Sequence, residues 1–385
     1  MTRKICVVVT ARPSYSRIRS VLEAVREHPD LELQLVVAAS ALLDRYGNAH
    51  RVIEEEGFQI DRRVYMIMEG ENLVTSAKST GFGLAELATV FDNLKPDAVV
   101  TVADRFETLA TAVAASYLNI PLVHVQGGEV TGSIDEKVRH AITKLADLHF
   151  VATEKAAERV TRMGEHAERV FVTGCPSIDV VKRALSAPAI PLDRLFSEYG
   201  GVGEALDLSQ GYIVVLQHPV TTENEQSRRH VTETLHAVVD SGLPAIWFWP
   251  NVDAGSDGTS KGIRSFRETH SLPRIHFFKN LPPEDFLRLV NGSLCIVGNS
   301  SVGIRECSHM GVPTINIGTR QQGRERGANT LDVPYDRGAI LAGIQQAAKG
   351  GRCKPDPLYG DGNSGVRIAD LLAKAQFNIE KRLSY

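Results

Sequence analysis

The chain has 385 residues, a length that predicts about two domains instead of a single core. Its apolar fraction of 43% and charged fraction of 23% are typical of a globular protein, which excludes a disordered or fibrous chain. The net charge of −3 contains no basic excess, so we expect no nucleic-acid partner.

The first apolar run, Ile5 to Val9, is only as long as a strand and is followed by Arg12 and Pro13. We interpret it as a buried strand and not as a signal peptide. No apolar stretch is long enough to cross a bilayer, so we expect a cytoplasmic protein without a membrane partner. The scattered cysteines lack CxxC spacing, which predicts reduced core thiols and no metal site. They are Cys6, Cys175, Cys295, Cys307 and Cys353.

Short apolar runs alternate with amphipathic stretches through the first half of the chain. Buried strands are predicted at KICVVVT, LELQLVVAA, DAVVTVAD, PLVHV and HFVATE. Helices are predicted between them, for example from Ser16 to His28 and from Phe106 to Leu118. Continuous apolar strands separated by helices are typical of a parallel sheet that is covered on both faces.

The alternation stops near Arg183, in a segment rich in Ala, Pro and Gly, and then begins again. Later strands are predicted at YIVVLQH, PAIWFWP, RIHFFK, SLCIVGN and PTINIG, and a last helical pattern runs from Gly365 to Leu383. We therefore predict an α/β fold of two Rossmann-like domains with the active site in the interdomain cleft. The first domain would comprise residues 1–183, completed by a helix at 366–385, and the second residues 184–365.

Candidate site residues follow the strands, because ligands of parallel α/β sheets bind beyond the carboxyl ends of the strands. After the first strand, Arg12 and Ser16 at a helix start suit an anion; the alternative is an ordinary cap with a surface arginine. This loop lacks GxGxxG, which disfavours NAD. Asp104 and Arg105 end a later strand and indicate either a polar site or an N-cap beside a surface arginine.

The segment after PLVHV contains the densest group of candidates. The paired glycines at 127–128 allow close approach of a ligand, and Glu129 lies beside them. Ser133, with a glutamate three residues later, has the spacing of a capping box. The helix that it begins would place Asp135 and Arg139 on one face. Complementing the helix dipole explains Asp135 alone, but not the polar residues crowded around it.

The second half offers a comparable set. His218 follows YIVVLQ at the carboxyl end of a strand, although most lone histidines are structural. Ser300 and Ser301 precede a helix and suit a phosphate, while serine caps are also common without any ligand. Glu306, about two turns into that helix, could accept hydrogen bonds from a ribose diol, and Arg320 could add positive charge.

Taken in chain order, these motifs resemble the hydrolysing UDP-N-acetylglucosamine 2-epimerases. That family includes bacterial enzymes of sialic- and legionaminic-acid pathways and the epimerase half of the animal bifunctional epimerase/kinase. The matching motifs are YGN at 46–48, DRFE at 104–107, GGEVTGSIDEKVRHAITKLA at 127–146, QHPVTTE at 217–223, NVDAGS at 251–256, GNSS at 298–301, GTRQQGRERG at 318–327 and YGDGN at 359–363. The resemblance does not extend to the kinase half.

The resemblance implies a glycosyltransferase-B-like fold, a UDP-sugar as the partner, and a homodimer or homotetramer. It implies that Ser300 and Ser301 hold the diphosphate and Glu306 the ribose hydroxyls, with Leu281 and Phe286 beside the uracil. Residues implied in binding the substrate are Arg12, Ser16, Arg105, Arg139, Asn251, Leu281, Phe286, Ser300, Ser301, Glu306 and Arg320. Residues implied in catalysis are Asp104, Gln126, Glu129, Asp135 and His218.

The sequence departs from the family at Gln126, where the family usually has a glutamate. A glutamine cannot act as a base, so either Asp104 or Asp135 performs that step, or the substitution disables the enzyme. Ser14 also replaces an acid that is common in the first loop of the family.

The implied reaction is anti elimination of UDP to a 2-acetamidoglucal, followed by hydration with inversion at C2. It needs carboxylates that relay protons and a stabilised diphosphate, and it needs no redox cofactor or divalent metal. Three alternatives stay open: a non-hydrolysing epimerase, a glycosyltransferase of the same fold, and a catalytically weak binder of UDP-sugars.

Overall fold

The computed structural model describes residues 2–44, 47–69, 73–102, 105–130, 134–250 and 256–382. Contacts within the chain define two compact units, and each is described here by itself. Unit 1 comprises Met1–Asp179 with Tyr359–Tyr385, and unit 2 comprises Val180–Leu358.

Unit 1 is built on a seven-stranded parallel sheet. Its strands are β1 (Arg3–Val9), β2 (Leu31–Ala38), β3 (Arg62–Val64), β4 (Ala98–Val102), β5 (Leu122–Val125), β6 (Leu148–Val151) and β7 (Val170–Val172). Its helices are α1 (Arg12–Glu27), α2 (Ala49–Glu55), α3 (Leu73–Leu94), α4 (Thr108–Tyr117), α5 (Ile134–Leu145), α6 (Glu154–Arg162), the start of α7 (Pro176–Ser186), and α15 (Ser364–Lys374). The strand order is β3-β2-β1-β4-β5-β6-β7, so the order reverses between β1 and β4.

Both faces of this sheet are buried, which is why its central strands are continuously apolar. Along β1, Ile5, Val7 and Val9 pack into one hydrophobic cluster, while Cys6 and Val8 pack into the cluster on the opposite face. This alternation is the two-residue periodicity of a strand between two layers of helices.

Unit 2 repeats the arrangement with a six-stranded parallel sheet in the order β10-β9-β8-β11-β12-β13. Its strands are β8 (Ile213–Leu216), β9 (Ala245–Phe248), β10 (Ile275–Phe278), β11 (Cys295–Gly298), β12 (Thr314–Ile317) and β13 (Thr330–Val333). Its helices are α8 (Leu195–Tyr199), α9 (Ser227–Ser241), α10 (Ser256–Thr269), α11 (Pro283–Gly292), α12 (Ser301–Ile304), α13 (Glu306–Met310) and α14 (Arg337–Gly350). Here the order reverses between β8 and β11.

The predicted strands are confirmed, and three strands were missed: β3, β7 and β13. Each lies at an edge of its sheet and has only three or four residues, most of them partly or fully exposed. Edge strands bury little side-chain surface, so β3 and β13 contain polar residues, and the apolar run of β7 is only three residues long. The prediction of α/β architecture with two parallel sheets is confirmed.

The helix predicted at the end of the chain, from Gly365 to Leu383, is wrong for residues 375–382, because α15 ends at Lys374. Side chains of unit 1 take the carbonyl groups that a longer helix would need. Arg3 Nη1 donates to the Ala375 carbonyl at 2.9 Å, and Arg169 Nη1 donates to the Gln376 carbonyl at 2.6 Å. Farther along, Lys381 Nζ lies 2.6 Å from Glu165 Oε2.

The burial of the cysteines and the length of the helices also bear on the class of protein. Four of the five cysteines are buried as predicted, but Cys353 is partly exposed because it lies in the loop after α14. None of the helices that the structure describes combines the length and apolarity needed to span a lipid bilayer.

A buried polar network lies at the amino-terminal ends of β5 and β6 in unit 1. His149 Nε2 lies 3.1 Å from Glu165 Oε2, and Lys144 Nζ lies 2.5 Å from Glu165 Oε1. Burial acts to raise the pKa of Glu165, but hydrogen bonds from His149, Lys144 and Lys381 lower it to about 2. Burial lowers the pKa values of His149 and its neighbour His124.

This network predicts that acid destabilises unit 1. Folding lowers the pKa values of His124 and His149 through burial, whereas in the unfolded chain each binds a proton near about pH 6.5. The unfolded state therefore binds more protons, and stability falls as the pH drops below that value. Hydrogen exchange of β5 and β6 amides, corrected for intrinsic rates, should show protection falling between about pH 7.5 and about pH 5.5.

The variant His149→Gln should reduce this pH dependence, and His166→Gln, which changes a half-exposed side chain nearby, should leave it intact. An identical pH dependence in wild type and His149→Gln would contradict the assignment.

Candidate active site

In unit 2 the predicted candidates gather at one edge of the sheet. The loops after β8, β11 and β12 contain His218, the Ser300–Ser301 pair and Arg320, respectively. These three strands are parallel and adjacent, so the loops leave the same edge of the sheet. β8 and β11 also flank the reversal of strand order, where neighbouring loops diverge and open a crevice for a ligand.

The Ser300–Ser301 pair begins a short helix, as predicted. Ser300 is the N-cap of α12, and its hydroxyl accepts from the Val302 amide at 3.4 Å. Arg305 Nη2 donates to Ser301 Oγ at 3.0 Å, and Arg305 is 1% exposed. Because the Ser301 oxygen accepts this bond, its own O–H is directed to donate elsewhere.

The long helix expected after these serines is wrong. α12 has four residues and breaks at Arg305, so Glu306 is the first residue of α13 and not a residue two turns into α12. The side chains of Thr314 and Asn329 both donate to the Gly303 carbonyl and compete with helical bonding there. A helix of one turn has a small dipole, so positive charge at this edge comes mainly from arginine side chains.

Glu306 is buried, at 7% exposure, next to that break. Within the described residues, its Oε2 atom is buried and has no hydrogen-bond partner. A buried carboxylate oxygen that lacks a donor is costly, and a diol ligand would supply the missing donors.

The loop after β12 is tied to the same edge. Arg320 Nη1 and Gln321 Nε2 donate to the main-chain carbonyl of Asn299 at 3.1 and 2.8 Å. Thr319 Oγ1 donates to Glu223 in the loop after β8. These bonds hold the loops after β8, β11 and β12 as one polar rim, which we call the unit 2 rim.

The two residues implied beside the uracil differ in burial. Leu281 is buried within a hydrophobic cluster of unit 2, and the Phe286 ring is partly buried against it. Phe286 packs edge-on against Phe248, with ring centroids 5.1 Å apart. Their contact with a nucleotide stays a prediction.

In unit 1, Arg12 and Ser16 follow β1. Arg12 is the first residue of α1, but Ser16 lies one turn inside it, where its Oγ is 3.4 Å from the Arg12 carbonyl. The prediction that both stand at the helix start is therefore wrong for Ser16. A Cβ atom on Gly47 would lie 2.8 Å from Arg12 Nη1, so the YGN motif leaves room for this guanidinium. Burial lowers the pKa of Arg12.

Arg105 follows β4, on the other side of the strand reversal. Its Nε lies 3.0 Å from Oε1 of Glu107, a carboxylate that is fully buried. The glutamate of the DRFE motif therefore orients Arg105, which favours a positioned arginine over a mobile surface side chain.

Gln126 follows β5 in a left-handed conformation, with φ of 64°. Its Nε2 donates to the buried Cys175 Sγ at 2.9 Å, and Cys175 Sγ lies 3.0 Å from Ser177 Oγ. Glu129 is buried nearby in sequence, and buried Arg139 donates to the Glu129 carbonyl at 3.4 Å. The amide at position 126 is thus engaged with a sulfur atom.

Four predicted residues are not fully described by the structure. Asp104 and Asn251 lie outside the described residues, as does the predicted cap Ser133. Asp135 is in the first turn of α5, as predicted, but the description covers only its backbone. Among the residues with described side chains, no three His, Cys, Asp or Glu residues converge in a metal-binding arrangement.

Sequence reasoning missed two residues of the unit 2 rim, Asn299 and Arg305, and gave no role to Glu107. All three are buried polar side chains inside motifs that were noticed. The available signal was a charged or amide residue next to apolar neighbours within GNSS and its following helix. Their partners lie on other strands or across a break, which spacing alone does not reveal.

Two doubly wound parallel sheets with polar residues at their strand reversals define an α/β protein of glycosyltransferase-B-like fold. The sequence matches the UDP-N-acetylglucosamine 2-epimerase family over residues 23–373, and the chain belongs to that family. It is 33% identical over 372 residues to UDP-N,N'-diacetylbacillosamine 2-epimerase (hydrolyzing) of Legionella pneumophila, covering 97% of this chain and 96% of that protein.

It is also 30% identical over 377 residues to UDP-N-acetylglucosamine 2-epimerase of Neisseria meningitidis, covering 97% of this chain and 95% of that protein. The crystal structure of a Neisseria meningitidis UDP-GlcNAc 2-epimerase bound to UDP-GlcNAc has a similar fold. Its TM-score is 0.80 at 17% identity, covering 97% of this chain and all of that one. These findings confirm the predicted family and fold class.

The unit 2 rim predicts which variants lose UDP affinity. Ser301→Ala removes the hydroxyl that Arg305 orients, and Glu306→Ala removes the buried carboxylate. Each should weaken UDP binding by about 1.5–3 kcal/mol, the scale of a hydrogen bond to a charged group. Isothermal titration calorimetry with UDP measures this directly.

Ser293→Ala is the matched control, because it removes the hydroxyl of another unit 2 serine, which is buried and donates only to the Val290 carbonyl in the described contacts. Unchanged UDP affinity in both test variants would contradict the placement of UDP at this rim.

Proposed function

We propose that the protein is a hydrolysing 2-epimerase of a UDP-acetamido sugar. It would convert UDP-N-acetylglucosamine, or a 2,4-diacetamido-6-deoxy relative, and water into UDP and the C2-inverted free sugar. The observation that carries the proposal is at the unit 2 rim, where buried Arg305 donates to the Ser301 hydroxyl. The next helix begins with the buried Glu306, whose Oε2 has no hydrogen-bond partner within the described residues.

Each group of this rim suits one part of UDP. The Ser301 hydroxyl can donate to a diphosphate oxygen because Arg305 already occupies its acceptor side. Arg320 adds a second guanidinium to the rim, which favours an anion. The Glu306 carboxylate can accept both hydroxyls of a ribose. A donor for the diphosphate, an acceptor for the ribose and cationic side chains together specify a nucleotide better than any one of these groups does.

The chemistry then follows from the substrate. In the α-linked glucosamine sugar, H2 and the diphosphate at C1 are axial on opposite faces, so elimination takes the proton from one face and UDP from the other. The C2–H and C1–O bonds break, a C1=C2 double bond forms, and UDP carries away the electron pair. Water then adds its hydroxyl at C1, and a proton returns to C2 on the opposite face.

The protein would contribute acids and a charge-stabilising site. Asp104, Asp135, Glu129 and His218 are the proposed proton carriers, and Arg12, Ser16, Arg105, Arg139 and Asn251 the proposed contacts to substrate. H2 is only weakly acidic, so C1–O cleavage runs ahead and negative charge accumulates on the departing diphosphate. Groups that stabilise this charge in the transition state lower the barrier more than groups that bind the ground state and the transition state equally well.

The hydrolysing outcome is supported by the similarity to a relative described as hydrolyzing, the diacetylbacillosamine enzyme. The name of the other relative described above, UDP-N-acetylglucosamine 2-epimerase, does not specify hydrolysis, and a non-hydrolysing reaction stays the second candidate. The two reactions differ in product: the hydrolysing enzyme gives UDP and free sugar, and the other returns a UDP-sugar.

Incubation with UDP-GlcNAc or its 2,4-diacetamido-6-deoxy analogue in deuterated water tests the proposal. We expect free UDP by ³¹P NMR and a C2-inverted sugar with deuterium at C2 by ¹H NMR. Deuterium in a returned UDP-sugar would instead support the non-hydrolysing candidate. A glycosyltransferase would show transfer to an acceptor without exchange at C2, and binding without exchange or UDP release would leave only a binder.

Gln126→Glu tests the residue at which the sequence departs from the family. A carboxylate there would be buried beside Cys175 and close in sequence to Glu129, and like charges raise each other's pKa values. We expect the rate to fall and its pH optimum to rise, because this chain uses other proton carriers. The pH–rate profile measures both effects.

Gln126→Met is the control, because it removes the amide without adding charge. Equal losses in both variants would assign the effect to the amide–thiol bond, and a faster Gln126→Glu enzyme would show that the chemistry needs the family carboxylate.

A further inference from the structure

Asn299 lies where the loops of the unit 2 rim meet, and both its side chain and its main chain form hydrogen bonds there. It is 1% exposed and follows the last residue of β11. Its side-chain Oδ1 accepts from the His218 amide at 2.7 Å, and its Nδ2 donates to the His218 carbonyl at 2.8 Å. One side chain therefore pairs with both main-chain groups of His218.

The same residue also bonds through its main chain. Its amide donates to the Leu216 carbonyl at 3.2 Å, and its carbonyl accepts from Arg320 and Gln321. Asn299 thus connects the ends of β8, β11 and β12. A Cβ atom on the preceding Gly298 would lie 2.1 Å from the Leu216 carbonyl oxygen, so glycine allows the two strands to approach this closely.

The local sequence of His218 explains why it needs such a partner. Pro219 follows it, and a residue before proline is held in an extended conformation. An extended residue beyond the end of β8 has no neighbouring strand to take its amide and carbonyl, and such groups are costly when buried and unpaired. The Asn299 amide takes the place of that missing strand.

We infer that Asn299 is a positioning residue for His218: its carboxamide fixes the His218 main chain, and hence its imidazole, beside the Ser300–Ser301 pair. This inference rests on the proposed function for its kinetic consequences, but the geometry itself concerns only these described residues. Asn299 acts through His218, because each of its polar atoms already makes at least one hydrogen bond within the protein.

The first test is Asn299→Ala, which removes the pairing and keeps the main-chain bonds to Leu216, Arg320 and Gln321. We expect kcat to fall about 10- to 100-fold, the scale of a small misplacement of a catalytic group. UDP affinity should change less than about threefold, because the residues proposed to hold UDP are untouched. Asn316→Ala is the control, since Asn316 is equally buried but donates to Asp332 on β13.

Asn299→Asp supplies a readout that general destabilisation would not give. The aspartate keeps an acceptor for the His218 amide, but when ionised it turns a second oxygen toward the His218 carbonyl. When protonated it can donate to that carbonyl as asparagine does. The ratio of its kcat to that of wild type should therefore rise as the pH falls. A ratio that is independent of pH would overturn the inference.

A measurement without turnover separates this inference from the proposed function. In protein labelled with [¹³Cε1]histidine, the His218 signal is identified by its loss in His218→Asn. Asn299→Ala should shift or broaden that signal and leave His276 unchanged, because both His276 ring nitrogens bond to carbonyls of unit 2. If wild type releases no UDP from any UDP-acetamido sugar, the proposed function fails, and this spectrum still decides the role of Asn299. An unshifted His218 signal, or equal losses of kcat and UDP affinity, would overturn it.

Discussion

A parallel sheet buried on both faces must end its strands where main-chain groups still need partners, and the carboxyl-end edge of unit 2 meets this constraint with a side chain. In unit 2, β8 and β11 approach so closely that only glycine fits at position 298. Beyond that point the Asn299 carboxamide completes the hydrogen bonding that the strands began. The placement of His218, the serine pair and Arg320 depends on this closure, because each leaves the sheet within a few residues of it.

The source of positive charge in the unit 2 rim follows from the break at Arg305. A helix of one turn adds little dipole, so the proposed anion binding there would depend on guanidinium groups. Arg305 donates to Ser301 Oγ and so sets the direction of the Ser301 hydroxyl, while Arg320 donates to the Asn299 carbonyl. A buried cation that acts through a hydroxyl presents only one small, fixed group to a ligand. Such a fixed group can stabilise charge that develops only as a bond breaks.

The sequence predicted most of the fold because buried central strands such as β1 and β11 are apolar on both faces and therefore stand out. Edge strands such as β3 do not, and the end of α15 depends on arginines from distant parts of the chain. The site was predicted where residues follow strands directly, as for His218 and Ser300. Asn299 and Arg305 were missed because their roles come from partners across the sheet edge and across a helix break. The spacing of residues along the chain reveals neither the contacts across the sheet edge nor the helix break.

The engagement of Gln126 with Cys175 bears on which residues would carry the proposed reaction. The amide donates to a buried sulfur and sits on a left-handed residue, so its side chain is fixed by unit 1 itself. An amide at this position cannot take a proton from C2, and the proton transfer then rests on the remaining acids. Weaker base assistance makes C1–O cleavage still more advanced when the C2–H bond breaks. In the proposed reaction the transition state would then carry more charge on the diphosphate, and catalysis would depend more on the arginines and serines of the unit 2 rim.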